Sequence, residues 1–194
     1  TYVLTVTNTN DAPTLSSAIS DASSAEDAAY SLDVTGNFAD VDVGDTLSYA
    51  ATGMPSTLTM STSGTISGTP LNADVGTHTI IVTATDSSSA AATASDTYIL
   101  TVTNTNDAPT VSSAIADAST AEDSAYSLDI SSNFGDVDVG DTLSFAATGM
   151  PSTLTMSTAG TMSGTPVNAD VGAHTIIVTA TDSSSAAATA SDTY

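Results

Sequence analysis

The stretch "THTIIVTATDSSSAAATASDTYILTVT", Thr77–Thr103, decides the fold. Ile80, Val82 and Ala84 alternate with Thr79, Thr83 and Thr85, and Tyr98, Leu100 and Val102 alternate with Thr97, Thr101 and Thr103. A period of two places the apolar set on one face of an extended chain, whereas a helix needs a period of about 3.6. Thr, Val, Ile and Tyr also suit half-buried strands. The Ala/Ser run "DSSSAAATAS", Asp86–Ser95, lies between two such strands and reads as a hairpin loop rather than a disordered linker.

The same alternation recurs outward, as in Leu47, Tyr49 and Ala51. Turn signals separate the runs: Gly36, Gly44, Gly53, "STSG" at Ser61–Gly64, "SGTP" at Ser67–Pro70, and Gly76. Strands are expected near 14–19, 28–34, 45–51, 55–60, 64–67, 77–85 and 95–103, and no helix. About seven short strands per ~100 residues predict an all-β, immunoglobulin-like sandwich.

Sliding the chain by 96 residues aligns 84 of 98 pairs identically, so the unit is a tandem repeat of about that length. The 14 differences are mild, among them Tyr49 against Phe145 and Ile66 against Met162. This divides the chain into the last strand and linker of a preceding repeat over 1–10, a first repeat over 11–106, and a second over 107–194 that lacks its last strand.

The 194 residues carry 22 acids, two histidines and no Lys or Arg, for a formal charge of −22. With nothing to neutralise phosphates, nucleic acid and anionic membrane surfaces are excluded as partners. A hydrophobic share of 40% argues against disorder despite that charge. No Cys means no disulfide, thiolate site or thiol redox chemistry, and no apolar run approaches the ~20 residues of a membrane span.

The acids are not spread evenly. Strands that alternate in direction send successive connections to opposite ends of a sandwich. The end where the chain leaves receives "AED" (Ala25–Asp27), "NAD" (Asn72–Asp74) and the linker Asn104, Asn106 and Asp107. The end where it enters receives "DVDVGD" (Asp40–Asp45) and Asp86, repeated as Asp136, Asp138, Asp141 and Asp182. Like charges gathered around the linker "NTNDAP", at Asn8–Pro13 and Asn104–Pro109, call for a cation among them. Carboxylate, amide and carbonyl oxygens are what Ca²⁺ takes. Two His and no Cys disfavour Zn²⁺ or Cu²⁺. Asp21, Asp33 and Asp96 read instead as solvated surface charge, Asp27 and Asp45 fall between the two, and His78 and His174 read as packed, hydrogen-bonded residues.

Glu26-Asp27, "NFADVDVGDTLSY", "GTISGTP", "VGTHTIIVTATDS" and "LTVTNTNDAP", in that order, resemble the bacterial cadherin-like repeats of large secreted adhesins, of the dystroglycan-type cadherin and putative-Ig kind. The resemblance covers the whole unit. It implies interdomain calcium held by Glu26, by Asp40 and Asp42, by Asp86, and by the linker, with Asn10 and Asp11 in it. At the internal junction the implied ligands are Glu26, Asn104, Asn106, Asp107, Asp136, Asp138 and Asp182, and Glu122 repeats Glu26. Two departures stand out. The Asp-Arg-Glu motif of cadherins is absent, and the linker opens on Asn8 or Asn104 where cadherins place Asp. Fewer ions per junction are expected, with Asp74 in part replacing the missing pair.

Nothing in the chain resembles a nucleophile elbow, a triad or a phosphate loop, so no enzyme is expected. Three roles remain: a calcium-stiffened spacer in a bacterial extracellular fibre or adhesin stalk, a carbohydrate-binding extracellular module with surface glycans as partners, and an ice- or surface-binding Thr face. Without Trp, and with Thr at ordinary outward positions, the spacer is favoured. Thr1–Thr7, "TYVLTVT", matches Thr97–Thr103, while the second repeat stops two residues into the equivalent strand. Residues 1–7 are therefore expected to complete a neighbouring copy head to tail.

Overall fold

The computed structural model describes residues 1–88, 90–184 and 187–194. The chain divides into two compact units, Thr1–Thr105 and Asn106–Tyr194. Both are all-β, with only short 3-10 turns beside the strands.

In the first unit the strands are β1 (Thr14–Leu15), β2 (Ala22–Ala25), β3 (Tyr30–Asp33), β4 (Phe38–Ala39), β5 (Ser48–Thr52), β6 (Leu58–Met60), β7 (Thr65–Gly68), β8 (Gly76–Thr85) and β9 (Thr93–Thr103). They form a four-stranded sheet, β2-β9-β8-β5, a three-stranded sheet, β3-β7-β6, and the small pair β1-β4. The alternation read from the sequence sets the faces: Ile80, Val82, Ala84, Tyr98, Leu100 and Val102 are all buried, and they meet Leu58 and Ile66 of the other sheet. Phe38 and Tyr49 pack edge to face at 6.0 Å between ring centroids, closing the core beside β4.

The hairpin expected over Asp86–Ser95 is present: β8 and β9 are antiparallel with Thr85 opposite Thr93, and the Asp86 N–H donates to Ala92 O. Ser89, inside that loop, lies outside the described residues. Two strands were not foreseen. β4 is only two residues long, and β2 is the Ala/Ser segment "ASSA", which carries no apolar alternation. β2 exists because it runs parallel to β9, Ala22 opposite Leu100 through Ala25 opposite Thr103.

The second unit contains β10 (Thr110–Val111), β11 (Tyr126–Asp129), β12 (Phe134–Gly135), β13 (Ser144–Thr148), β14 (Leu154–Met156), β15 (Thr161–Gly164), β16 (Ile177–Thr181) and β17 (Thr189–Thr193). Its sheets are β13-β16-β17, β11-β15-β14 and the pair β10-β12. The core repeats that of the first unit around Ile130, Met162, Val178 and Ala180. Its β16–β17 loop includes Ser185 and Ala186, which lie outside the described residues.

Residues 1–13 form no strand, and Tyr2, Val3, Leu4 and Val6 are 71–87% exposed.

Candidate metal centre

In each unit the linker, the loop after the two-residue strand and the loop after the long hairpin strand converge. In the first unit Asn10 donates through Nδ2 to Asp86 Oδ2 at 3.0 Å, and the Asp11 N–H donates to Asp42 Oδ2 at 2.7 Å. The Asp42 N–H in turn donates to Asp40 Oδ1 at 2.9 Å. Asp86 Oδ1 accepts from Ser88 Oγ and from the N–H groups of Ser88 and Ala92. The second unit repeats the arrangement: Asn106 to Asp182 at 2.9 Å, Asp107 N–H to Asp138 at 2.8 Å, Asp138 N–H to Asp136 at 3.0 Å.

One carboxylate oxygen from each of Asp40, Asp45 and Asp86 lies within 4.8 Å of the others, and the same holds for Asp136, Asp141 and Asp182. Asp45 and Asp141 were not among the assigned ligands. The signal was in the sequence: Gly44 follows the Asp-x-Asp, and only a residue with φ near +102° turns the chain back there. The Asp45 N–H then returns to Asp42 O, and its carboxylate accepts from Ser87 Oγ at 3.2 Å. Asp42, by contrast, turns an oxygen to the linker and is not in the three-residue cluster.

Hydrogen bonding keeps Asp86 and Asp182 ionised. The Asn10 amide holds the Asp86 carboxyl below the usual carboxylate range; burial opposes it, and Ser88 and Ala92 add to it. Asn106 does the same for Asp182. Two unit charges about 4 Å apart repel by about 4 kcal/mol at an effective dielectric of about 20, so three such groups favour a cation. Asp40 Oδ2, Asp136 Oδ2 and Asp141 Oδ2 are buried without a hydrogen-bond partner. Buried, unpaired carboxylate oxygens beside further carboxylates fit a hard, oxygen-seeking cation. The donor set therefore fits Ca²⁺.

Other assigned residues lie elsewhere within their units. Glu26 sits at the far end of β9, where its N–H donates to Thr103 O and its Oε1 accepts from the Thr105 N–H at 2.8 Å. It is 2% exposed, and its Oε2 has no partner. Glu122 and Asn104 are exposed. Asp74 is not a spare ligand, because its carboxylate is consumed by Ser56, Thr57 and the Leu71 N–H, as that of Asp170 is by Ser152, Thr153 and the Val167 N–H. The acids read as bare surface charge also have tasks. Asp96 accepts from the Ile19 N–H at 2.6 Å, Asp21 from the Ile99 N–H at 2.7 Å, and Asp33 from Thr35. His78 and His174 hydrogen-bond through Nε2 to the carbonyls of Asp74 and Asp170.

Among solved structures, the Drosophila N-cadherin EC1-4 fragment is similar at a TM-score of 0.56 and 18% identity, over 95% of this chain and 48% of that one. Mouse Cadherin-23 EC22-24 is similar at 0.55 and 16%, over 95% and 65%. An endo-fucoidan hydrolase of glycoside hydrolase family 107 is 25% identical at a TM-score of 0.45, and the chain spans only 29% of its length. No curated protein sequence matches the chain. The family described as "Putative Ig domain" matches residues 12–103 and again 108–194. With two sandwiches of cadherin-like form and two full-unit matches, the chain belongs to that immunoglobulin-domain family as a tandem pair.

Proposed function

We propose that these units are spacer modules of a long extracellular fibre or adhesin stalk of bacterial type, stiffened by Ca²⁺ at their linkers. The observation that carries this is the convergence of Asp40, Asp45 and Asp86, and of Asp136, Asp141 and Asp182, in a chain without a single Lys or Arg. The ions would be held by Asp40, Asp45 and Asp86, with Asp42 and the linker residues Asn10 and Asp11, and by Asp136, Asp141 and Asp182, with Asp138 and the linker residues Asn104, Asn106 and Asp107. Glu26, and Glu122 in its turn, would contribute from the preceding unit. Bound cations would offset the repulsion among these carboxylates and restrict the linker angle, which is what a stalk requires and a catalyst does not.

Calorimetric titration tests the reading. Calcium uptake is expected in the unaltered chain and is expected to be lost in the Asp40→Asn/Asp136→Asn double variant. Chelator should widen the interdomain angular spread in solution scattering, and Asp138→Ala should do so more than Asp33→Ala. Absence of uptake, or scattering indifferent to chelator, would overturn it. Binding on a glycan array by calcium-loaded protein would move the reading to a carbohydrate module.

A further inference from the structure

We infer that Asn106, and Asn10 in the first unit, are positioning residues whose side-chain amides dock the linker onto the acidic loops without a cation. Asn106 Nδ2 donates to Asp182 Oδ2 and to Asp107 O, both at 2.9 Å. Asn10 Nδ2 donates in the same way to Asp86 Oδ2 and Asp11 O, both at 3.0 Å. The two bonds together fix which way each amide faces. Turned over, its oxygen would meet a carboxylate and a carbonyl, two acceptors with no proton to offer.

Each amide meets a carboxylate that is already held. Asp182 is 5% exposed, and its Oδ1 accepts from Ser184 Oγ and from the N–H groups of Ser184 and Ala188. The next linker residue adds a second anchor, since the Asp107 N–H donates to Asp138 Oδ2 in a different loop. One side chain and one backbone N–H thus tie the linker to the loops after β16 and β12.

The oxygens of the cluster divide accordingly. Asp136 Oδ1 accepts from the Asp138 N–H and Asp141 Oδ1 from Ser183 Oγ, while Asp136 Oδ2 and Asp141 Oδ2 are buried without a donor. Asp182 has donors on both oxygens, and the donor on Oδ2 is the amide. In a chain without Lys or Arg, an amide N–H takes the place of a cationic side chain beside that carboxylate. Bonds to an ionised acceptor are stronger than neutral ones, and stripping the donor from a buried charge is costly. Removing the amide therefore hands Asp182 to whatever cation the cluster takes. The inference rests on the calcium reading for that exchange alone, and the docking by the amide stands without it.

Thermal unfolding of the full chain, in chelator and in saturating Ca²⁺, separates the roles. Asn10→Ala/Asn106→Ala should melt about 5–10 °C below the unaltered chain in chelator. Calcium should recover most of that loss, so its stabilising shift should be larger in the variant than in the unaltered chain. A melting temperature unchanged in chelator, with a smaller calcium shift, would make the amides plain ligands and overturn the inference. A loss that calcium leaves in place, in a variant that still takes up calcium by titration, would make them structural only and overturn it too. An unaltered chain indifferent to calcium would instead sink the calcium reading, and reversing the pair in chelator then decides the docking. Asn106→Asp and Asp182→Asn should each lower the melting temperature. Together they should recover most of it, because the double variant again sets one amide against one carboxylate. Losses that merely add would overturn the docking.

Discussion

The two units are nearly the same sequence and not the same structure. The segment Gly76–Ile80 is strand in the first, paired with β9; its counterpart Gly172–Ile176, altered only by Ala173 in place of Thr77, is not. Ala22–Ala25 is strand, and 118–121 is not. Glu26 is buried where Glu122 is exposed, and His78 is half-buried where His174 is exposed. In the first unit one strand segment, Leu100–Thr103, is the pairing partner of both Ala22–Ala25 and the start of β8. Strand formation at this end follows the hydrogen-bonding partner and the apolar side chains it brings, rather than local propensity. The entry ends, where no such strand is involved, are alike to within 0.1 Å in the Asn–Asp and Asp–Asp hydrogen bonds.

The largest test makes the first unit resemble the second. Leu100→Ala removes a fully buried side chain and should cost about 2–5 kcal/mol. Hydrogen exchange should show the amides of Ser23–Ala25 and Thr77–Thr79 losing protection well before those of β5. Uniform loss of protection across the unit would break the comparison, since it would mean that the strand supports the whole sandwich and not one edge.

Calcium should sharpen the comparison from the other end. A site held at about a hundredfold over its Kd adds about 2.7 kcal/mol to the folded state. Because the clusters match, Asp45→Asn and Asp141→Asn should lower the calcium-dependent rise in Tm of their own units by similar amounts. A rise confined to one unit would show that the shared entry geometry is not what binds.

Much of this was legible in the sequence because its information is local and periodic. Alternation over 77–85 and 95–103 gave the long hairpin and the core, and the order of acids gave Asp40, Asp86 and their copies. Two kinds of feature were not. Ala22–Ala25 is a strand by virtue of a parallel partner some 78 residues away, which no window of sequence contains. The tasks of Asp21 and Asp96 depend on backbone N–H groups 78 and 77 residues away, and Asp74 takes one from Ser56, 18 residues away. Asp45 stands between the two, since the glycine before it was visible but the direction of the turn was not.

Acid offers a smaller, paired test. Burial pushes the Asp74 carboxyl up, but Thr57, Leu71 and Ser56 outweigh it and hold it below the usual range; in Asp170 the bond from Thr153 leads the same result. A depressed folded-state value means stability present above the ordinary carboxylate pKa and lost as pH falls through the lowered one. Both units should therefore lose stability in acid. Asp74→Asn should cost about 1 kcal/mol near neutrality and flatten the acid limb of the first unit alone. An acid limb unchanged by Asp74→Asn would place the titration elsewhere.

The smallest effect isolates one of the 14 differences. Ala39 of β4 becomes Gly135 of β12, each opposite a two-residue strand, Thr14 opposite Ala39 and Thr110 opposite Gly135. Gly135 does not adopt a positive φ, so a side chain is not barred by the backbone. A Cβ there would meet Ser112 Oγ at 3.0 Å, which is tight. That atom is the rotatable end of an exposed side chain, and the first unit accommodates Ala39 with Ser16 at the matching place. Gly135→Ala should therefore stabilise the second unit by about 0.4–1 kcal/mol, chiefly by restricting the unfolded chain. The Asp136 carboxylate beside it should keep its hydrogen bond from the Asp138 N–H, so calcium affinity should not move. Destabilisation on calorimetric unfolding would show that Ser112 cannot turn away, and that the two small β-pairs, alike in register, differ in their packing.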